Sequence, residues 1–155
     1  MISVVMATYN GEKYIERQLT TLLEQTRRPD EVIICDDVST DNTAQLVQDF
    51  IKEHSLADKW HFSINEKNLG YRKNFAQALA KATGNYIFLA DQDDDWHLDK
   101  IAKMVALMQQ QPEIKALNCA VQLIDTNGEP LNLPENKAFY NAGFIYSKTP
   151  LAKLT

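Results

Sequence analysis

Buried-type strands alternating with amphipathic helices predict an α/β fold, a Rossmann-like three-layer α/β/α sandwich around a mostly parallel sheet. Three observations carry this expectation. Apolar runs at residues 2–7, 31–36 and 85–90 show almost no polar alternation, as strands covered on both faces do. Between them, apolar residues recur at helical spacing. Two of the runs lead straight into carboxylates, at Asp36-Asp37 and at Asp91 to Asp95. The carboxyl ends of parallel strands are where open α/β sheets bind their ligands.

In chain order, Ile2 to Ala7 is β-branched and apolar and reads as the first strand. Thr8-Tyr9-Asn10-Gly11 ends it, with Asn10 as a helix cap and Gly11 permitting a tight turn. Ile15, Leu19, Leu22 and Leu23 then form one helical face. Glu31 to Asp36 is the second strand, and Ser39-Thr40-Asp41-Asn42 opens a helix whose apolar face is Leu46, Val47, Phe50 and Ile51. Trp60 to Ile64 alternates and reads as an edge strand. Asn68-Leu69-Gly70 makes a turn into a helix with Phe75 and Leu79, which Gly84 stops. After the acidic stretch, Ile101, Met104, Val105 and Met108 mark a helix ending before Pro112. Lys115 to Ile124 reads as a further strand, with Asn127-Gly128 as the turn to a short return near Leu131. Beyond Pro134 the pattern is weak, apart from an apolar patch at 142–146.

The 155 residues are 45% hydrophobic and 24% charged, the composition of one ordinary soluble domain. A net charge of −5 without a basic patch argues against a nucleic-acid partner. No apolar run approaches the roughly 20 residues that span a bilayer, and the N-terminus lacks the pattern of a signal peptide. Cys35 and Cys119 sit in apolar runs and read as buried free thiols, which suits a cytoplasmic placement.

The acidic stretch concentrates the chemistry. Asp91, Asp93, Asp94 and Asp95 fall within five positions. At ~4 Å and an effective dielectric of about 20, each like-charged pair costs on the order of 4 kcal/mol. A divalent cation, a nearby Arg or Lys, or protonation must offset that. The plain alternative is a solvated acidic loop. A calcium hand fails, because Trp96 stands where its Gly is needed and Ala102 where its Glu is needed. Neither GxGxxG nor GxxxxGK[ST] occurs, so a glycine cradle is not the means of holding phosphate. Paired carboxylates with a hard cation remain.

Four segments carry a resemblance: residues 4–11 (VVMATYNG), 32–43 (VIICDDVSTDNT), Asn68-Leu69-Gly70, and Ala90-Asp91-Gln92-Asp93-Asp94. In this order and spacing they resemble the family 2 glycosyltransferases of the glycosyltransferase A (GT-A) fold, well over residues 1 to about 110 and poorly after. Two positions depart from the family pattern: Val38 replaces the usual Gly after the paired Asp, and Leu98 replaces a Pro common two residues after the Trp.

The resemblance implies roles. Asp36 and Asp37 would contact the nucleoside, Thr8, Tyr9 and Asn10 would form the loop against base and ribose, and Asn68 and Gly70 would complete the nucleotide site. Asp91 and Asp93 would hold Mn²⁺ or Mg²⁺, Asp91 also facing the nucleotide, with Asp94 and Asp95 in support. Arg72 and Lys73 could approach the diphosphate or face solvent. His97 is worth noting beside the acidic loop, and Trp96 reads as core.

The expected activity is metal-dependent, inverting transfer of a sugar from a nucleotide-diphospho-sugar donor to the hydroxyl of a glycan or lipid-linked acceptor, in cell-surface glycan synthesis. Placement at the inner face of the membrane suits such an acceptor. The alternatives are a nucleotidyltransferase and a non-catalytic nucleotide-binding module. Residues 1–155 are expected to form a single GT-A-like domain, incomplete at its C-terminus. Residues 1–110 are the nucleotide-sugar-binding half and 111–155 the start of the acceptor half. No residue matches the catalytic base; Glu129 and Glu135 are the carboxylates at hand. An uncovered apolar surface and self-association follow from that reading.

Overall fold

The computed structural model describes residues 1–125 and 128–131 and the backbone of one further strand, Ile145–Ser147. The chain falls into two compact units, Met1–Val105 and Ala106–Thr155. In the first, β1 (Ile2–Thr8), β2 (Glu31–Asp36), β3 (Trp60–Ile64) and β4 (Tyr86–Asp91) form one sheet in the order β3-β2-β1-β4, every pair parallel. The expected α/β fold with a parallel central sheet is therefore present, with β3 at an edge as its alternation indicated.

The helices follow from the strand order. The chain steps outward from β1 to β2 to β3, then returns past both to reach β4. Right-handed crossovers place α1 (Ile15–Leu23) and α2 (Thr43–Glu53) on one face and α3 (Tyr71–Lys81) on the other. Accordingly α1 packs on α2, and α3 lies on β1 and β2. Phe75 and Ala78 of α3 close over Val5, Ile33 and Cys35. The direction of strand progression reverses between β1 and β4, so the switch-point crevice opens at the carboxyl ends of those two strands.

The opposite ends of the strands are tied by a buried carboxylate. Glu31 accepts hydrogen bonds from Ser3 Oγ at 2.5 Å and from the Thr83 N–H at 2.7 Å and hydroxyl at 2.9 Å. Burial raises its pKa, but these donors and nearby His61 outweigh that and hold it below the ordinary value.

Helix α4 (Lys100–Gln110) buries Ile101, Met104 and Val105. In the second unit β5 (Ala116–Asn118) pairs antiparallel with β6 (Ile145–Ser147), and Ile124 bridges Pro130 across a turn where Gly128 has φ 86°.

Several expectations need correction. Strand β4 is not covered on both faces: Ile87 is 43% and Leu89 56% exposed, alternating with buried Phe88 and Ala90. Among the described residues it pairs with β1 alone and lies beyond the two strands that α3 covers. Asn10 does not cap α1, whose N-cap is Tyr14 without a side-chain bond. Gly84 does not stop α3, which ends earlier with Ala82 as C-cap. It is needed because a Cβ there would lie 2.7 Å from the Ser3 backbone nitrogen. The strand expected over 115–124 shrinks to β5, which leaves Cys119 outside it and only partly buried. Asn127, Glu135 and the patch at 142–146 apart from the β6 backbone lie outside the described residues.

Candidate active site at the switch point

At the carboxyl ends of β1, β2 and β4 lies a cleft of about 520 Å³, lined by Ala7, Thr8, Tyr9, Asp37, Asn68, Gly70, Tyr71, Asn74, Asp91, Gln92 and Asp93. That volume falls within the roughly 300–1,000 Å³ typical of small-molecule sites. Strand register builds it. Ala7 sits opposite Asp91 on one side of β1, and Thr8 opposite Asp36 on the other.

Asp36 is fully buried and lies behind the wall. Its carboxylate accepts from Thr8 Oγ1 at 2.8 Å, the Ser39 N–H at 2.8 Å and Ser39 Oγ at 2.6 Å. The turn that brings Ser39 back requires φ 63° at Val38, the left-handed region that β-branched residues avoid. Asp37 lines the cleft and accepts from the N–H groups of Leu69 and Gly70 at 2.7 and 2.8 Å and from Asn65 Nδ2 at 2.8 Å. Asn68 and Gly70, which has φ 79°, are thereby drawn to the wall. Asn10 is exposed and does not line the cleft, its Oδ1 accepting the Thr40 N–H at 2.8 Å.

The acidic loop divides its labour. Asp91 and Asp93 line the cleft. Partial removal from water, then the charges of Asp94 and Asp93, push the Asp91 carboxyl above its ordinary range, with Lys100 opposing. Asp94 accepts from Trp96 Nε1 at 3.3 Å, and Asp95 forms an ion pair with Arg17. Trp96 is buried, as expected of core, with Lys100 Nζ 3.7 Å from its ring centroid. Part of the repulsion anticipated among the four carboxylates is thus met by the chain's own cations. Tyr71 reaches the cleft, and the charge of Asp91 raises its phenol pKa, helped by partial burial and Asp94. Arg72, Lys73 and His97 are exposed and do not line the cleft.

Tyr71, Asn74 and Gln92 escaped sequence reasoning. Asn74 carried a usable signal, a polar residue among the apolar positions of its helix. It is buried, and its Nδ2 donates to the Cys35 carbonyl at 2.8 Å.

A family model described as "Glycosyl transferase family 2" matches residues 3–151. The chain belongs to glycosyl transferase family 2. The putative teichuronic acid biosynthesis glycosyltransferase TuaG of Bacillus subtilis (strain 168) is 33% identical to it over 111 residues, covering 72% of this chain and 43% of that protein. Among solved structures, S. aureus TarS 1-349 in complex with UDP superposes with a TM-score of 0.68 at 29% identity, covering 85% of this chain and 38% of that one. The mannosyltransferase PcManGT from Pyrobaculum calidifontis, in complex with GDP-Man and Mn²⁺, gives a TM-score of 0.70 at 26% identity, covering 79% and 35%. This family 2 chain spans less than half the length of each of these proteins. No helix among its described residues is long and apolar enough to cross a membrane.

Proposed function

We propose that this chain binds the donor of a glycosyltransferase, a nucleotide-diphospho-sugar whose sugar passes, with inversion, to the hydroxyl of a glycan or lipid-linked acceptor. The observation that carries the reading is one cleft at the switch point with Thr8, Tyr9 and Asp37 on one side and Asp91 and Asp93 on the other. The base and ribose would lie against Thr8, Tyr9 and Asp37, with Asp36 holding that wall in shape from behind. The diphosphate would lie toward Asp91 and Asp93. A role in cell-surface glycan synthesis is supported by the teichuronic acid relative.

The donor set fits a Mn²⁺ or Mg²⁺ ion. Among the described residues no three His, Cys, Asp or Glu side chains converge as a cage. Such ions are commonly held by one or two carboxylates, with phosphate oxygens and water completing the shell. Asp91 and Asp93 would hold it. When bound, the ion supplies Lewis-acid stabilisation of the charge on the departing nucleoside diphosphate. Tyr71 offers a hydroxyl donor to the same cleft. No residue here is assigned as the base.

The test is Asp93→Ala. Calorimetry with Mn²⁺ should show nucleoside diphosphate binding in the parent protein and its loss in the variant, while the variant's thermal midpoint without metal holds or rises. Equal affinity in the two proteins would remove Asp93 from the proposed role.

A further inference from the structure

Gln92 stands between the two cleft carboxylates, and its own side chain turns to a different partner. Its Oε1 accepts the Tyr9 N–H at 2.9 Å, and its Nε2 donates to the Tyr9 carbonyl at 3.0 Å. The backbone ladder between β1 and β4 runs up to the pair Ala7 and Asp91. The carboxamide therefore stands in for backbone where the two strands part, joining the loop after β1 to the loop after β4. The same group lies against Gly11, where a Cβ would collide with it. Gly11 in turn donates its N–H to Thr43 Oγ1 at 2.7 Å, which stitches the loop to the start of α2.

The chemistry of the clamp is selective. It needs a donor and an acceptor on one planar group at the end of two methylenes. An ionised Glu offers no donor, Asn is one methylene shorter, and Lys and Arg offer no acceptor. Tyr9 is 48% exposed; Gln92 holds its peptide from the β4 side, while the Asn10 N–H, donating to Ser39 Oγ at 2.9 Å, ties the same loop to the β2 side.

We propose that Gln92 is a positioning residue that couples the two halves of the donor site. Through the Tyr9 peptide it holds the nucleoside-side loop at a set distance from Asp91 and Asp93. This rests on the donor-binding reading of the cleft. A ligand that spans both loops gains from finding them already in register, since it need not supply the ordering itself. A ligand that touches only the carboxylates gains nothing from the clamp.

That asymmetry sets the experiment. Calorimetry with Mn²⁺ would compare UDP, GDP, dTDP and inorganic pyrophosphate in the parent protein, Gln92→Ala and Gln92→Met. Methionine keeps bulk over Gly11 and removes both hydrogen bonds. Both variants should bind the preferred nucleoside diphosphate about tenfold more weakly, the loss of two modest hydrogen bonds. Pyrophosphate affinity should stay within about twofold, because Asp91 and Asp93 are intact. Without ligand, the Tyr9 amide should exchange faster with solvent in both variants. Gly11→Ala should weaken diphosphate binding in the parent background and add little in Gln92→Ala, because the two changes break one contact.

Equal weakening toward pyrophosphate and nucleoside diphosphate would reduce Gln92 to a structural residue of the acidic loop. Unchanged diphosphate affinity, or unchanged Tyr9 exchange, would also overturn the coupling. If the parent protein binds none of the three diphosphates while Tyr9 exchange still responds to Gln92, the clamp is real. The donor-binding reading then fails and takes the coupling with it.

Discussion

Val38 keeps a φ of 63° with a branched side chain that is 37% exposed. Neither packing nor propensity explains the choice, and the turn itself is required so that Ser39 can reach Asp36. A left-handed conformation costs an L-residue about 1–2 kcal/mol, and glycine gives back part of the relief through lost chain entropy. Val38→Gly should therefore stabilise the protein by about 1 kcal/mol, about 2–4 °C in thermal midpoint for a chain of this size. A lower midpoint in a calorimetric scan would mean that Val38 makes a contact worth more than its strain. The departure of Val38 from the family pattern was legible in the sequence, and the positive φ gives it a physical cost. The role of Gln92 was not legible, because a carboxamide between two aspartates carries no mark of a partner 83 residues away.

Among the elements, the acidic loop couples to proton binding through Asp91. Asp91 ionises less readily folded than unfolded, so the native state holds this proton more tightly. Its charge then costs stability. That cost is fully present above the raised native pKa, and it vanishes once pH falls below the ordinary value of 3.8. Asp91→Asn should accordingly raise the metal-free thermal midpoint at about pH 7 and leave it unchanged near pH 3. A gain that persists at low pH would point to packing or hydrogen bonding of the amide instead. The strands and helices that flank such loops were legible because burial follows local periodicity: Ile15, Leu19 and Leu22 are all fully buried, as their spacing required. Strand β4 misled for the same reason. Its run of apolar residues records hydrophobicity, whereas the exposure of Ile87 and Leu89 is set by which strands α3 covers. Asn10 reads locally as a cap, and its actual partner is Thr40 on another loop.

At the scale of the molecule, the gathering of Thr8, Asp37 and Asp91 at one rim was legible, because parallel strands joined by right-handed crossovers put all their carboxyl ends together. The same topology has a bearing on how the chain assembles. β1 meets β2 within a short span, Ser3 opposite Glu31, and β2 meets β3 likewise, Val32 opposite Trp60. The second edge of β1 waits for a segment far along the chain, Ile2 opposite Tyr86. Closing a longer loop costs more entropy and slows pairing. In pulse-labelled refolding, amides of β4 should gain protection after those of β2 and β3; simultaneous protection would refute the order. A nascent chain that has made only its first three strands presents the edge of β1, whose Val4, Val5 and Met6 are wholly buried in the finished fold, as an open template for other chains. The clamp between Gln92 and Tyr9 forms where β4 meets β1, so the interval before β4 docks combines an open, aggregation-prone edge with the absence of the cleft.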